Sequence, residues 1–200
     1  WELVERTSYQ DIDGGSMASD NAWTGGVGGA GHALFSLWMA DPYVVTFDID
    51  QWLGSIQVEL DQITFNLMSG ERSVSDSMEI AGVTDIKSAS VTLEAGTLTI
   101  EENMTVGQEN GYGQINVGNY GFLEVVQTLN LTEDSGTSII LDGSADPKII
   151  TYVQPPAING TMQVQIGSSM DVEDFVEGTR IVLISAGVTP TTNALDALVL

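Results

Sequence analysis

The chain has 200 residues, 28 of them acidic and 5 basic, for a net charge of −23, and it has no cysteine. Disulfide frameworks, cysteine-held metals and thiol nucleophiles are therefore excluded, and so acidic a surface repels nucleic acid and anionic membranes. Hydrophobic residues at 42% are ample for a core, 22 glycines against 5 prolines favour short strands joined by turns, and no apolar run nears the roughly 18 residues of a membrane-spanning helix.

The chain opens at Trp1 without a methionine, a basic segment or an apolar segment. It reads as a mature product or a fragment. Residues 1–7 suit an opening strand, and residues 11–31 form a loop rich in Gly and Ser. With the following residues to 42 they make an N-terminal strand, a Gly-rich loop and a cap. Residues 43–50 and 55–60 alternate apolar and polar, as half-buried strands do. A parallel β-helix is expected over 43–200, giving a single all-β domain of about three short strands per coil of roughly 24 residues.

The repeat is clearest from residue 88 onward. Val91, Ile115 and Ile139 recur at steps of 24, and Val164 follows 25 later. Leu93, Val117, Leu141 and Ile166 repeat the same steps. Leu98 with Leu123 and Ile100 with Val125 form a second series at 25, and Met104 with Leu129 and Val106 with Leu131 a third. Three series sharing one step describe three strands per coil, each coil burying its inward residues only by stacking on the next. A sandwich of two antiparallel sheets also has short, evenly spaced strands, but it does not require a common step. Phe65 and Leu67 extend the series upstream at a step of 26. Gly96, Gly113, Gly121, Gly136 and Gly160 stand just before strands, where corners need positive φ or close backbone approach. Residues 171–176 read as a loop or a short helical turn, and residues 180–184 as an apolar strand. The apolar end at Leu200 reads as a polypeptide that continues.

The runs Ala95-Gly96-Thr97-Leu98-Thr99-Ile100, Met104-Thr105-Val106-Gly107, Gly113-Gln114-Ile115-Asn116-Val117 and Gly121-Phe122-Leu123-Glu124-Val125 resemble the repeats of bacterial secreted β-helix surface proteins. These are the autotransporter-associated β-strand repeats and similar PEP-CTERM-type surface proteins. Asn21-Ala22-Trp23-Thr24-Gly25-Gly26, followed by Ala33-Leu34-Phe35 and Val45-Thr46-Phe47-Asp48, is similar to the segment that precedes such repeats. The resemblance covers about residues 20–185 and implies a secreted or cell-surface structural or adhesive protein. Neither a C-terminal anchor nor an outer-membrane barrel accompanies it here.

No catalytic constellation is expected. His32 is the single histidine and no G-x-S-x-G motif accompanies it, so it reads as a loop residue. The five basic residues, Arg6, Arg72, Lys87, Lys148 and Arg180, are scattered rather than set beside paired carboxylates. Calcium is the candidate metal, through Asp11, Asp13 and Asp20, with Asp48 and Asp50 as a second possibility. The spacing is not that of an EF-hand, and solvated loop aspartates explain it equally. Trp1, Trp23, Trp38 and Trp52 gather near the N-terminus and are expected to cap the end of the tube. The expected function is that of an extracellular subunit of a fibre, sheath or adhesin stalk, without enzymatic activity. Self-association would run head to tail through Trp1, Leu3 and Val4 at one end and Ile181, Leu183 and Leu198 at the other. The alternative is a glycan-binding adhesin module that reads surface polysaccharide with Thr97, Thr99, Thr105, Gln114, Asn116 and Asn130. A polysaccharide lyase or hydrolase comes third.

Overall fold

The computed structural model describes residues 6–8, 15–16, 31–38, 41–47, 54–83, 88–109, 111–141, 148–166, 180–181, 183–186 and 198–199. Among them the strands run in order as β1 (Arg6–Ser8), β2 (Gly15–Ser16), β3 (His32–Phe35), β4 (Tyr43–Thr46), β5 (Ser55–Val58), β6 (Gln62–Val74), β7 (Met78–Ile80), β8 (Ala89–Ile100) and β9 (Asn103–Val106). They continue as β10 (Gly113–Val125), β11 (Thr128–Leu131), β12 (Ser135–Leu141), β13 (Ile149–Thr151), β14 (Ala157–Ile158), β15 (Thr161–Ile166), β16 (Arg180–Ile181), β17 (Ile184–Ala186) and β18 (Leu198–Val199).

These strands build a parallel β-solenoid with about three strands per turn. The first face stacks β2, β4, the leading halves of β6, β8 and β10, then β12 and β15. The second face stacks the trailing halves of β6, β8 and β10, followed by β13 and β17. The third is β1, β3, β5, β7, β9, β11 and β14. A tight turn cannot join parallel neighbours. Here the other two faces of each coil are the connection, and no crossover helix is needed.

The alternating pattern decides which side chains meet inside. In β8, Val91, Leu93, Leu98 and Ile100 are wholly buried, while Ser90, Thr92 and Glu94 point outward. Burying each such aliphatic side chain contributes about 1.5–3 kcal/mol. Towards the N-terminal side the column is aromatic: Phe65 lies 5.8 Å from Phe35 and 5.1 Å edge-on from Phe47 between ring centres. Several corners turn by close backbone approach. At Gly107 φ is +79°, and an added Cβ would overlap the Thr132 hydroxyl and the Asp134 carbonyl. Gly96 also has positive φ.

The stacking agrees with the expected series at most rungs. Val91 lies beside Ile115 and Leu93 beside Val117. Leu98 lies beside Leu123, Ile100 beside Val125, Met104 beside Leu129 and Val106 beside Leu131. Two rungs depart from the expectation. Ile115 pairs with Thr137, and Val117 with Ile139, a step of 22 in place of 24. Upstream, Val91 pairs with Ile63 and Leu93 with Phe65, a step of 28 in place of 26. Both departures are of two residues. A slip of one would turn every side chain to the wrong face, whereas a slip of two keeps the inward set inward.

The ladders also begin earlier than residue 43. β1 pairs with β3 and β2 with β4, inside the stretch read from sequence as a cap. β1 overlaps the opening strand expected over residues 1–7, whereas β2 lies in the stretch read as a loop, where Gly-Ser is too short to show apolar alternation. Downstream, β16 pairs with β18 in antiparallel fashion, a departure from the parallel tube expected to residue 200.

Candidate functional site

Several residues singled out from the sequence, Asp11, Asp13, Asp20, Asp48, Asp50, Trp1, Leu3, Val4, Trp23, Trp52 and Lys87, lie outside the described residues. Among the described residues no group of three or more His, Asp or Glu is placed to hold a metal ion. Of the residues expected at the C-terminal contact, Ile181 and Leu198 are register partners in the β16–β18 pair. Leu183 is buried in the core of its own chain. The six polar residues expected to form one glycan-reading face are spread over all three: Gln114 and Asn116 on the first, Thr97 and Thr99 on the second, Thr105 and Asn130 on the third.

His32 and Ser55 are register partners on β3 and β5, and the His32 Nδ1 is hydrogen-bonded to the Ser55 hydroxyl. Ser55 is buried, which suits a side-chain rung on the third face better than an exposed nucleophile. Arg72 occupies an inward-series position, beside Leu98, and donates to the carbonyl of Phe47 on the coil above. Lys148 is buried, with its ammonium 4.5 Å from the centre of the Phe122 ring.

A polar centre that the sequence reading did not single out is Asp61. It is wholly buried and accepts three hydrogen bonds, from the N–H of Leu37, the N–H of Trp38 and the hydroxyl of Tyr43, each 2.8 Å long. Trp38 has φ of +60°, a conformation costing about 1–3 kcal/mol unless its surroundings hold it. The carboxylate of the next coil supplies that hold. Met68, with φ of +53°, is held in the same spirit by the Asn66 side-chain oxygen, which accepts from its N–H at 3.0 Å.

The described surface carries a shallow groove of about 230 Å³ on the first face. Its floor is made by outward residues of three coils: Gln62 and Thr64 on β6, Ser90 and Thr92 on β8, Gln114 and Asn116 on β10. None of these six is charged. The Gln114 amide donates to the Asn116 side-chain oxygen at 2.8 Å, and the Asn116 amide donates to the Thr92 hydroxyl at 3.2 Å. The first bond runs along β10, and the second ties β10 to β8 on the neighbouring coil. Outside the groove's lining, Tyr112 is 42% exposed, and its hydroxyl lies over Gly136, the register partner of Gln114, at the spot a Cβ would fill.

Charge gathers instead at the corner between the second and third faces. There Asp76 hydrogen-bonds Glu102 and repels its charge, and both effects raise the Glu102 carboxyl above its ordinary range. Two coils on, burial and the bond that the Tyr152 hydroxyl donates to Glu124 push the phenol up, and the carboxylate charge adds to it. Two carboxyls sharing a proton on an exposed corner explain the first shift without a catalytic role. Comparison with protein-family models, curated proteins and solved structures found no match to this chain.

Proposed function

We propose that the protein is an extracellular, non-enzymatic structural unit, a segment of a cell-surface fibre, sheath or adhesin stalk, that extends by stacking one copy on the next. The supporting observation is the last described coil. Among the described residues no strand pairs with the outer edge of β15 or of β14. Met162 and Val164, its inward residues, are only partly buried, while Leu93, Val117 and Ile139 on earlier rungs are wholly buried. A parallel strand edge with half-covered apolar residues is a template for a further strand, and a second copy continues the same ladder. The acidic surface, with its net charge of −23, keeps the sides of such rods apart and leaves their ends as the contact.

Sedimentation velocity across a concentration series and electron microscopy test this reading. Assembly is expected in the parent protein. It is expected to be lost when the exposed Gln163 and Gln165 of β15 are both changed to Lys, the device by which natural edge strands avoid pairing. A parent that stays monomeric at high concentration, or an assembly indifferent to the Lys pair, overturns the proposal. A second reading is a glycan-binding adhesin module for surface polysaccharide, and the observation in its favour is the uncharged groove on the first face.

A further inference from the structure

We infer that the first-face groove is a binding site for a neutral polysaccharide chain lying along the solenoid axis, with Gln114, Asn116 and Tyr112 as its principal contacts. The inference deepens the second reading above and is independent of end-to-end assembly.

The chemistry of the floor selects the ligand. Side-chain amides and hydroxyls both donate and accept, which matches sugar hydroxyls. Each amide offers two donors and an oxygen with two lone pairs. The bonds from Gln114 to Asn116 and from Asn116 to Thr92 use only part of that capacity. They also hold both amides in fixed orientations before any ligand arrives, so less freedom is lost on binding. The absence of charge among the six floor residues, on a molecule of net charge −23, disfavours uronate or sulfated glycans and favours neutral ones.

The repeat sets the direction. Successive coils present equivalent outward positions, Thr64, Thr92 and Asn116 in one column and Gln62, Ser90 and Gln114 in the next. Strands stack at about 4.8 Å, close to the length of one sugar ring, so an extended chain meets one rung per residue. Tyr112 ends the run. Gly136 has no side chain, and the Tyr112 hydroxyl occupies the space above it. Gly136 is the register partner of Gln114, so the partly exposed Tyr112 side chain reaches over the coil just beyond Gln114, where an aromatic face can meet the apolar face of a sugar.

Affinity electrophoresis in gels carrying hydroxyethylcellulose, galactomannan, laminarin or polygalacturonate tests the assignment, with sedimentation run on the same samples. At least one neutral polymer is expected to retard the protein. Asn116→Ala and Tyr112→Ala are each expected to weaken that retardation about five- to tenfold, as one net hydrogen bond or ring contact implies. Thr105→Ala, on the third face, is expected to leave it unchanged. Circular dichroism checks that each variant folds. Retardation by none of the neutral polymers, retardation by polygalacturonate alone, or variants that migrate as the parent overturns the inference. Because sedimentation reads the assembly state separately, failure of stacking and failure of this site are distinguishable.

Discussion

Replacing Asp61 removes a buried carboxylate that holds one coil against the next. In Asp61→Asn the side chain keeps one oxygen for the two backbone N–H groups of Leu37 and Trp38, and its amide faces the other donor. One N–H then loses its acceptor, at a cost of about 1–3 kcal/mol. In Asp61→Ala all three donors lose theirs. The two backbone groups are part-buried and the Tyr43 hydroxyl is buried, so water reaches two of the three and the expected loss is about 2–4 kcal/mol. Tyr43→Phe removes one donor and should cost about 1–2 kcal/mol. Urea unfolding followed by circular dichroism gives these values, and the Asp61→Asn, Tyr43→Phe double mutant gives their coupling. In a stack whose coils touch only their neighbours the damage is local. Hydrogen exchange should therefore show protection falling in residues 31–38, 41–47 and 54–66 while residues 113–131 keep theirs. If Asp61→Asn and Asp61→Ala both stay within about 0.5 kcal/mol of the parent, as ordinary surface changes do, the carboxylate does not hold this corner.

Thr137 and Thr151 are buried inward, and neither hydroxyl has a hydrogen-bond partner among the described residues; Thr137→Val and Thr151→Val should each raise the unfolding free energy measured in urea by about 1 kcal/mol, and a fall in either would show that its hydroxyl is satisfied. Gly113→Ala should abolish or severely weaken folding, because the new Cβ would overlap the Ile80 carbonyl and the Gly107 nitrogen, whereas Gly136→Ala meets only the movable end of Tyr112 and should melt close to the parent. The chain has no cysteine, so the 22-residue rung can be tested cleanly: Asn116→Cys with Ser138→Cys should form a disulfide faster than Asn116→Cys with Ile140→Cys, since only the first pair is in register, and the reverse order would restore the 24-residue step. Asp76 makes the folded Glu102 hold its proton to higher pH than the unfolded chain does, so stability falls as pH rises through the window above the ordinary glutamate range. Glu102→Gln should be more stable than the parent at pH 7 and equal to it well below that range, and equal stability at both ends would dismiss the pair.

The solenoid was legible because its evidence is additive. Leu98 over Leu123 and Met104 over Leu129 each mean little alone, but series sharing one step describe a stack. What stayed hidden is what strand parity cannot encode. Thr137 takes the inward place beside Ile115, where sequence favours Ile139 on hydrophobicity alone. Asp61 is equally silent in sequence, since an aspartate after a strand reads as a turn residue. Only the fold shows that it reaches back across the coils, 24 and 23 residues, to Leu37 and Trp38.

The candidate site follows the same logic. Its residues were visible as a class, since outward Thr, Asn, Gln and Ser are unusually uncharged for a chain with 28 acids. Which of them share a surface depends on the coil corner, not on the strand pattern. Thr99 and Asn116 look alike in sequence, yet the bend within β8 turns Thr99 onto the second face, where its hydroxyl donates to Glu124 at 3.2 Å. Asn116 stays on the first face, facing Thr92. The same outward polar position thus meets a carboxylate on one face and neutral amides and hydroxyls on another. A long polar polymer touching this rod therefore encounters chemically different strips, and the uncharged strip is set by where the chain bends.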